Sequence, residues 1–272
     1  MHLLHQGKVR NVYQFDENRL LILATDRLSA YDVVFPDAIP GKGAVLTSLT
    51  RWWLRRTSTI TPSHWANDYA ETLTSLHWPE WPDVADRAMI VERCEVVPFE
   101  CVVRGYAFGS YLKAHPEVKP MTRFETPLFT PSTKATEGHD EPVHFDVMED
   151  ALGQTATVLK ERSIALFQFA ADICLQAGIV LVDSKFEFGR AADGSIKLVD
   201  ECFTPDSSRF ILQTDVDRGV YDSFDKQIVR DYVDEIGWDR RPPAPPLPPE
   251  IIARTIDRYR TIESLITGVK PV

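Results

Sequence analysis

At 272 residues, 44% hydrophobic and 26% charged, the chain has the composition of a folded globular protein with one large core or two modest ones. Its formal net charge of −10 excludes a general electrostatic binder of nucleic acid, though not a local basic pocket for a small anion. No run approaches the roughly 18–20 apolar residues that span a bilayer, MHLLHQGKVR has no signal-peptide core, and four scattered cysteines form no CxxC or metal-type spacing, so a reduced, cytoplasmic protein is expected.

HQGKVRNVYQ sets Gly7, Lys8 and Arg10 just before a strand. A glycine admits close backbone approach to an anion and the two cations supply charge, although a plain basic turn has the same appearance. VRNVYQF, RLLILAT and VVFPDAI read as strands, with DEN as the turn between the first two. IPGKGAVLTSLT is a second glycine-lysine loop, opening into a helix from about Thr47 whose N-terminus would take either an anion or a cap. Residues 57–86 have no clean periodicity. AMIVERCEVVPFECVVRGY resumes strand character, and Pro98 marks the expected hinge between a domain of residues 1–97 and another of 98–272.

In VVRGYAFGSYLK, Arg104 stands between apolar residues and a glycine, with Gly109-Ser110 downstream. A buried arginine needs a partner, which would be an internal carboxylate or a bound phosphate. Residues 115–145 read as a long loop. It holds His139, Asp140, Glu141 and His144, but the histidines are five apart and Pro142 opposes a helix, so zinc is not expected. EDALGQTATVLKERSIALFQFAADICLQAG reads as one or two helices ended by Gly178, and SFDKQIVRDYVDEIGW as another. RRPPAPPLPPE is a stiff spacer leading to a last helix from about Pro249.

LVDSKFEFGRAADGSIKLVDE is the most informative stretch. Asp183, Lys185 and Glu187 occupy alternate positions of an apolar run, so all three share one face of a strand whose other face carries Val182, Ser184, Phe186 and Phe188. Asp193-Gly194 is a two-residue hairpin signal. With that turn, Glu187 faces Asp200 across the hairpin, and two like charges there need an offset. A divalent cation supplies one, a plain solvated hairpin face being the alternative: Mg²⁺ takes one or two protein carboxylates and fills its remaining positions with water and phosphate oxygens. The pairing depends on the register, since a slip of one residue moves the partner to the other face. Beyond the hairpin, TPDSSRF places Asp206 and Arg209 in and after a turn.

Taken in order, GKVRNVY, ATDRLSAYDVVF, IPGKGAVLTSLT, VPFECVVRGYAFGSYLK, FTPSTKATEGHDE, LVDSKFEFG, LVDECFTPDSSRF and SFDKQIVRDYV resemble the phosphoribosylaminoimidazole-succinocarboxamide synthase (SAICAR synthetase) family over residues 6–265. The resemblance implies an α+β fold, a smaller N-terminal antiparallel sheet domain and a larger C-terminal α+β domain with the ATP cleft between them. It also implies an ATP- and Mg²⁺-dependent ligation of L-aspartate to carboxyaminoimidazole ribonucleotide (CAIR) in purine biosynthesis. By the same resemblance Gly7, Lys8, Val9 and Arg10 form the phosphate loop, residues 92–97 hold adenine through their backbone, and Lys134 also serves ATP. Glu187 and Asp200 are the implied magnesium carboxylates. Arg104, Ser110 and Arg209 clamp the ribonucleotide phosphate, and Ser29 and Asp32 face the substrates. Asp183, Lys185 and Asp206 line the reaction centre, with Asp183 or Asp206 as base for the aspartate amine. Partners are then small molecules only, with no nucleic acid and no membrane, for a monomer or small homo-oligomer. The competing expectation is a small-molecule kinase using the same nucleotide cleft.

Overall fold

The computed structural model describes residues 1–66, 84–134 and 140–268. The chain divides into two compact units that are not contiguous in sequence. One comprises Met1–Trp52, His64–Cys94 and Lys226–Val272, the other Trp53–Ser63 and Glu95–Asp225. A single cut at 97/98 therefore differs from how the contacts group, because the last 47 residues (226 to 272) join the N-terminal unit.

The first unit carries an antiparallel sheet in the order β1 (His2–Gln6), β2 (Arg10–Gln14), β3 (Arg19–Ala24), β6 (Ala88–Glu92). The DEN turn joins β2 to β3 as the residue types require. Asp16 Oδ1 accepts the N–H groups of Asn18 and Arg19 at 2.9 and 2.7 Å, which closes the turn without glycine. Leu21, Leu23, Ala88 and Ile90 alternate inward on β3 and β6 and pack with Val84, Tyr13 and Phe15. A separate hairpin, β4 (Arg27–Ala30) with β5 (Val33–Ala38), pairs Ala30 with Val33. Its two-residue turn holds Tyr31 and Asp32 at φ 52° and 63°, left-handed values that L-residues adopt at a cost.

Helix α1 (Lys42–Arg56) begins five residues before the expected Thr47. The reason is a cap from outside the helix: Asp26 accepts the N–H groups of Gly41 and Gly43 at 3.1 and 2.9 Å. The helix N-terminus offered by IPGKG is thus filled by the protein's own carboxylate. Gly43 is required there, because a Cβ would stand 2.6 Å from the Ala24 carbonyl oxygen. Gly43→Ala is expected to destabilise the protein by about 1–3 kcal/mol through overpacking. Alanine is the better helix former, so a urea melt showing equal or greater stability would refute the clash.

The second unit is built on β11 (Ile179–Arg190), a 12-residue strand buried on both faces. One edge pairs with β8 (Phe99–Tyr106) and β7 (Glu95–Val96), the other with β13 (Ser208–Leu212) and β12 (Ile196–Val199). The expected loop at 115–145 contains further strands. β9 (Arg123–Phe129) and β10 (Ser132–Thr133) pair with β8. Pro127 and the charges of β9 hide its period, and an edge strand tolerates both. His139 of the rejected zinc motif lies outside the described residues.

Gly153, at φ 56°, splits the predicted helical stretch into α3 (Phe145–Leu152) and α4 (Gln154–Gln176), and Gly178 follows α4 at φ 75°. With α2 taken as the short Ser110–Ala114, α4 is the main helix of this unit. Its buried Leu159, Ser163, Leu166, Phe167, Ala170 and Cys174 recur at helical spacing. Gly105 of β8 lets Phe167 in, since a Cβ would meet the ring at 2.9 Å. Phe203 joins the core of this unit from the turn after β12, 5.1 Å from Phe186 and 4.8 Å from Trp53 between ring centroids. α5 (Gln213–Asp217) follows β13, and α6 (Gln227–Glu235) and α7 (Pro249–Thr267) complete the first unit. Proline opens α7 and left-handed Gly268 ends it.

Cys101, Cys174 and Cys202 are buried, Cys94 is half-buried, and none is in a disulfide. Burial pushes the Cys101 and Cys174 thiols up to about 12, so both stay protonated. No helix among the described residues is long and apolar enough to cross a membrane.

Candidate functional site

In the first unit the loop at 7–10 closes on itself, with the Gly7 N–H donating to the Arg10 carbonyl at 2.8 Å. Arg27, which the sequence reading did not single out, braces it. Its guanidinium donates to the Gly7 and Lys8 carbonyls at 2.8 and 3.0 Å and to Asn11 Oδ1 at 2.8 Å. Thr25 holds the Val9 carbonyl through both its N–H (2.9 Å) and its hydroxyl (2.8 Å). Three carbonyl oxygens that would repel an anion are thereby occupied. The Lys8 ammonium lies 2.5 Å from Asp32 Oδ1, with side chains 51% and 42% exposed. An ion pair in that much solvent contributes roughly 0–1 kcal/mol, so an arriving anion can take Lys8 from Asp32 at little cost. Ser29 is buried, and its carbonyl accepts the Lys226 ammonium at 3.1 Å. Within residues 92–97, the N–H groups of Glu92, Arg93 and Val97 are taken by the carbonyls of His64, Asn18 and Phe188.

In the second unit the register of three strands sets up a row of alternating charge. Asp183 on β11 pairs directly with Arg104 on β8 and with Arg209 on β13. Residues paired this way share a face. Asp183 Oδ2 accepts from Arg104 at 3.2 Å and from Arg209 at 2.5 Å, all three side chains being largely buried. Arg104 also donates to Thr130 Oγ1 (3.0 Å) and Ser110 Oγ (3.1 Å), which leaves the Ser110 hydroxyl hydrogen for an acceptor. Asp225 stands 3.6 Å from Arg209 Nε. Burial lowers the Arg104 pKa, with Arg209 adding to the effect. Burial works the same way on Arg209, but Asp183 and Asp225 outweigh it and raise that pKa. Gly109, at φ 58°, is where Arg209 passes: a Cβ would lie 2.7 Å from the guanidinium.

Two residues further along the same face, the Lys185 ammonium pairs with Glu100 and lies 3.5 Å from Glu187 Oε1, while Lys134 pairs with Glu187 Oε2. Burial disfavours charge on Lys185, but Glu100 and Glu187 outweigh it and the pKa is raised. Glu100 went unnoticed in the sequence. Its one local signal was the even spacing 100, 102, 104 with Arg104 on β8, and only the pairing of β8 with β11 gives that spacing meaning.

The expected pairing of Glu187 with Asp200 is corrected by the register. Glu187 faces Val199, one residue short. The turn is centred on Ala192 and Asp193: the Ala191 N–H donates to the Ser195 carbonyl and the Gly194 N–H to the Ala191 carbonyl, with Gly194 at φ 83°. The extra residue is a bulge in place of the two-residue turn. Asp200 nevertheless acts electrostatically on Lys185, as Glu187 does. β12 ends at Val199, and Asp200 takes a left-handed φ of 61° that leaves the strand path. Asp206 sits in the turn before β13, its N–H on Thr204 Oγ1 at 3.2 Å, and the next residue's carbonyl accepts the Lys185 N–H at 2.8 Å.

Among the described residues no three His, Cys, Asp or Glu side chains converge as a metal cage. Mg²⁺ needs only one or two protein carboxylates beside water and phosphate, and Glu187 and Asp200 are hard oxygen donors of the kind it takes.

A family model described as SAICAR synthetase matches residues 3–245. The phosphoribosylaminoimidazole-succinocarboxamide synthase of Methylococcus capsulatus is 42% identical over 284 residues, covering 98% of this chain and 95% of the relative. That of Nitrosomonas europaea is 40% identical over 281 residues, covering 97% and 95%. Among solved structures, the SAICAR synthase of Saccharomyces cerevisiae complexed with SAICAR is similar at a TM-score of 0.86 and 31% identity, covering 99% of this chain and 95% of that one.

Proposed function

The chain belongs to the SAICAR synthetase family, and on that footing we propose how its residues divide the ATP-dependent joining of L-aspartate to the carboxylate of CAIR in purine biosynthesis. The observation that carries the assignment is the Arg104–Asp183–Arg209 row beside Lys185 and Glu187 on one strand face. It combines an anion clamp with a charged set suited to phosphoryl transfer.

A carboxylate is a poor acyl donor, so one of its oxygens must first become part of a leaving group. A CAIR carboxylate oxygen attacks the γ-phosphorus of ATP, the bond to the bridging oxygen breaks, and ADP leaves an acyl phosphate. The amine of aspartate then attacks the carbonyl carbon, the C–O bond to phosphate breaks, and the amine proton passes to a base. Phosphoryl transfer is governed by positioning and charge neutralisation. Gly7, Lys8, Val9 and Arg10 hold the ATP phosphates, and the braced carbonyls of the loop support that role. Arg104, Ser110 and Arg209 hold the ribonucleotide phosphate. Lys185 and Lys134 neutralise charge on the transferring group, and Ser29 and Asp32 serve the substrates. Glu187 and Asp200 would hold Mg²⁺, which supplies charge neutralisation on the phosphate oxygens.

Asp183 organises the clamp through Oδ2, which accepts from both arginines. The amine proton passes to the other oxygen of Asp183 or to Asp206.

The test is the purified protein with ATP, Mg²⁺, CAIR and aspartate, following the succinocarboxamide by absorbance and phosphate by a coupled assay. Phosphate release that depends on aspartate and matches product is expected. Phosphorylated CAIR accumulating as a stable product would instead make the protein a kinase.

A further inference from the structure

Glu100 has no task in the mechanism above, although it is the carboxylate most tightly joined to Lys185. It is 7% exposed. The β8–β11 register runs Asp183 to Arg104, Lys185 to Val102 and Phe186 to Cys101, so one further step sets Glu187 opposite Glu100. The like-charge pair sought in the hairpin therefore exists on the other side of β11. Two carboxylates opposite each other repel, and the Lys185 ammonium sits between them, against Glu100 Oε1 and 3.5 Å from Glu187 Oε1. On the far edge of β8, Ser132 pairs with Glu100 and donates its hydroxyl to Oε2 at 3.3 Å. Both oxygens of Glu100 are thus engaged within the protein.

A buried ion pair is weak evidence for a gain in stability, because desolvation offsets the attraction. Its geometric effect is clearer. A lysine has four rotatable bonds and many rotamers, and an ammonium held by a buried carboxylate on a neighbouring strand has one position. Glu187 would otherwise be the main counter-charge of Lys185 and would be drawn toward it.

We propose that Glu100 is a positioning residue for the ligase reaction: it fixes the Lys185 ammonium from β8, so that Lys185 does not rest on Glu187 alone. The inference rests on Lys185 serving phosphoryl transfer. Glu100 acts on the reacting atoms only through that lysine.

The experiment is steady-state kinetics of Glu100→Gln, Glu100→Asp, Lys185→Met and the Glu100→Gln/Lys185→Met double variant, with folding checked by circular dichroism. Displacing a charged group by about 1 Å costs roughly 10²-fold, so Glu100→Gln is expected to lower kcat by about that factor. The KM values for ATP and CAIR should stay within about twofold, since uniform binding is untouched. Glu100→Asp restores part of kcat, and the double variant is no slower than Lys185→Met alone. Additive losses, or a normal kcat in Glu100→Gln beside a slow Lys185→Met, overturn the inference while leaving the role of Lys185 intact. A normal kcat in Lys185→Met removes that role itself, and the inference with it. If the glutamine variant does not fold, Glu100→Asp decides: a fall of about tenfold supports the proposal and an unchanged kcat overturns it.

Discussion

Asp183→Asn is expected to raise the KM for the ribonucleotide by about 10²-fold and to destabilise the protein by about 3 kcal/mol, the cost of removing one partner from a buried ion pair. Asparagine matches aspartate in size but removes the charge and turns one acceptor oxygen into an N–H donor. In the native protein one carboxylate oxygen accepts from Arg104 and Arg209 on strands either side, with its side chain only 8% exposed. Without that charge the two guanidiniums face each other across β11, and among the described residues only Arg209 retains a carboxylate, Asp225. Arg104 would keep Thr130 and Ser110 but no counter-charge among its bonded partners. A guanidinium pair that must be held apart before the anion arrives is no longer organised for it. A urea melt and a CAIR titration of the rate measure the two effects. Unchanged values in both would show that the arginines keep their places without Asp183.

Glu187→Gln is expected to lower kcat by about 10³-fold, roughly 4 kcal/mol of transition-state stabilisation, while the fold survives. The two halves of this prediction have separate causes. Glu187 is the proposed metal carboxylate, so losing its charge removes neutralisation where phosphoryl transfer needs it. Its structural partners are provided for, because Lys185 retains Glu100 and the Lys134 side chain is already 36% exposed. Rates near normal at saturating Mg²⁺ would rule out the metal role. A collapse in stability would show instead that Glu187 holds the sheet together.

Much of the second unit was legible because its signals are local. The alternation in LVDSKFEFG assigned Asp183, Lys185 and Glu187 to one face and Phe186 and Phe188 to the other, and both phenylalanines are fully buried. Gly178, Pro249 and the DEN turn ended or began their elements where residue type demanded. The start of α1 is not legible locally because its cap, Asp26, lies 15 residues upstream of Gly41. β9 is not legible either, because an edge strand carries no clean period.

What the sequence by itself determined is therefore which residue types share a face, and, through many ordered motifs, which family they belong to. Only the tertiary structure decided who stands opposite whom. A turn of one residue more than expected moved Glu187 from Asp200 to Val199, and a strand 80 residues earlier supplied Glu100 on the other side. The physical reason is that side-chain direction along a strand follows from local geometry with a period of two, whereas register follows from turn closure and from partners distant in the chain.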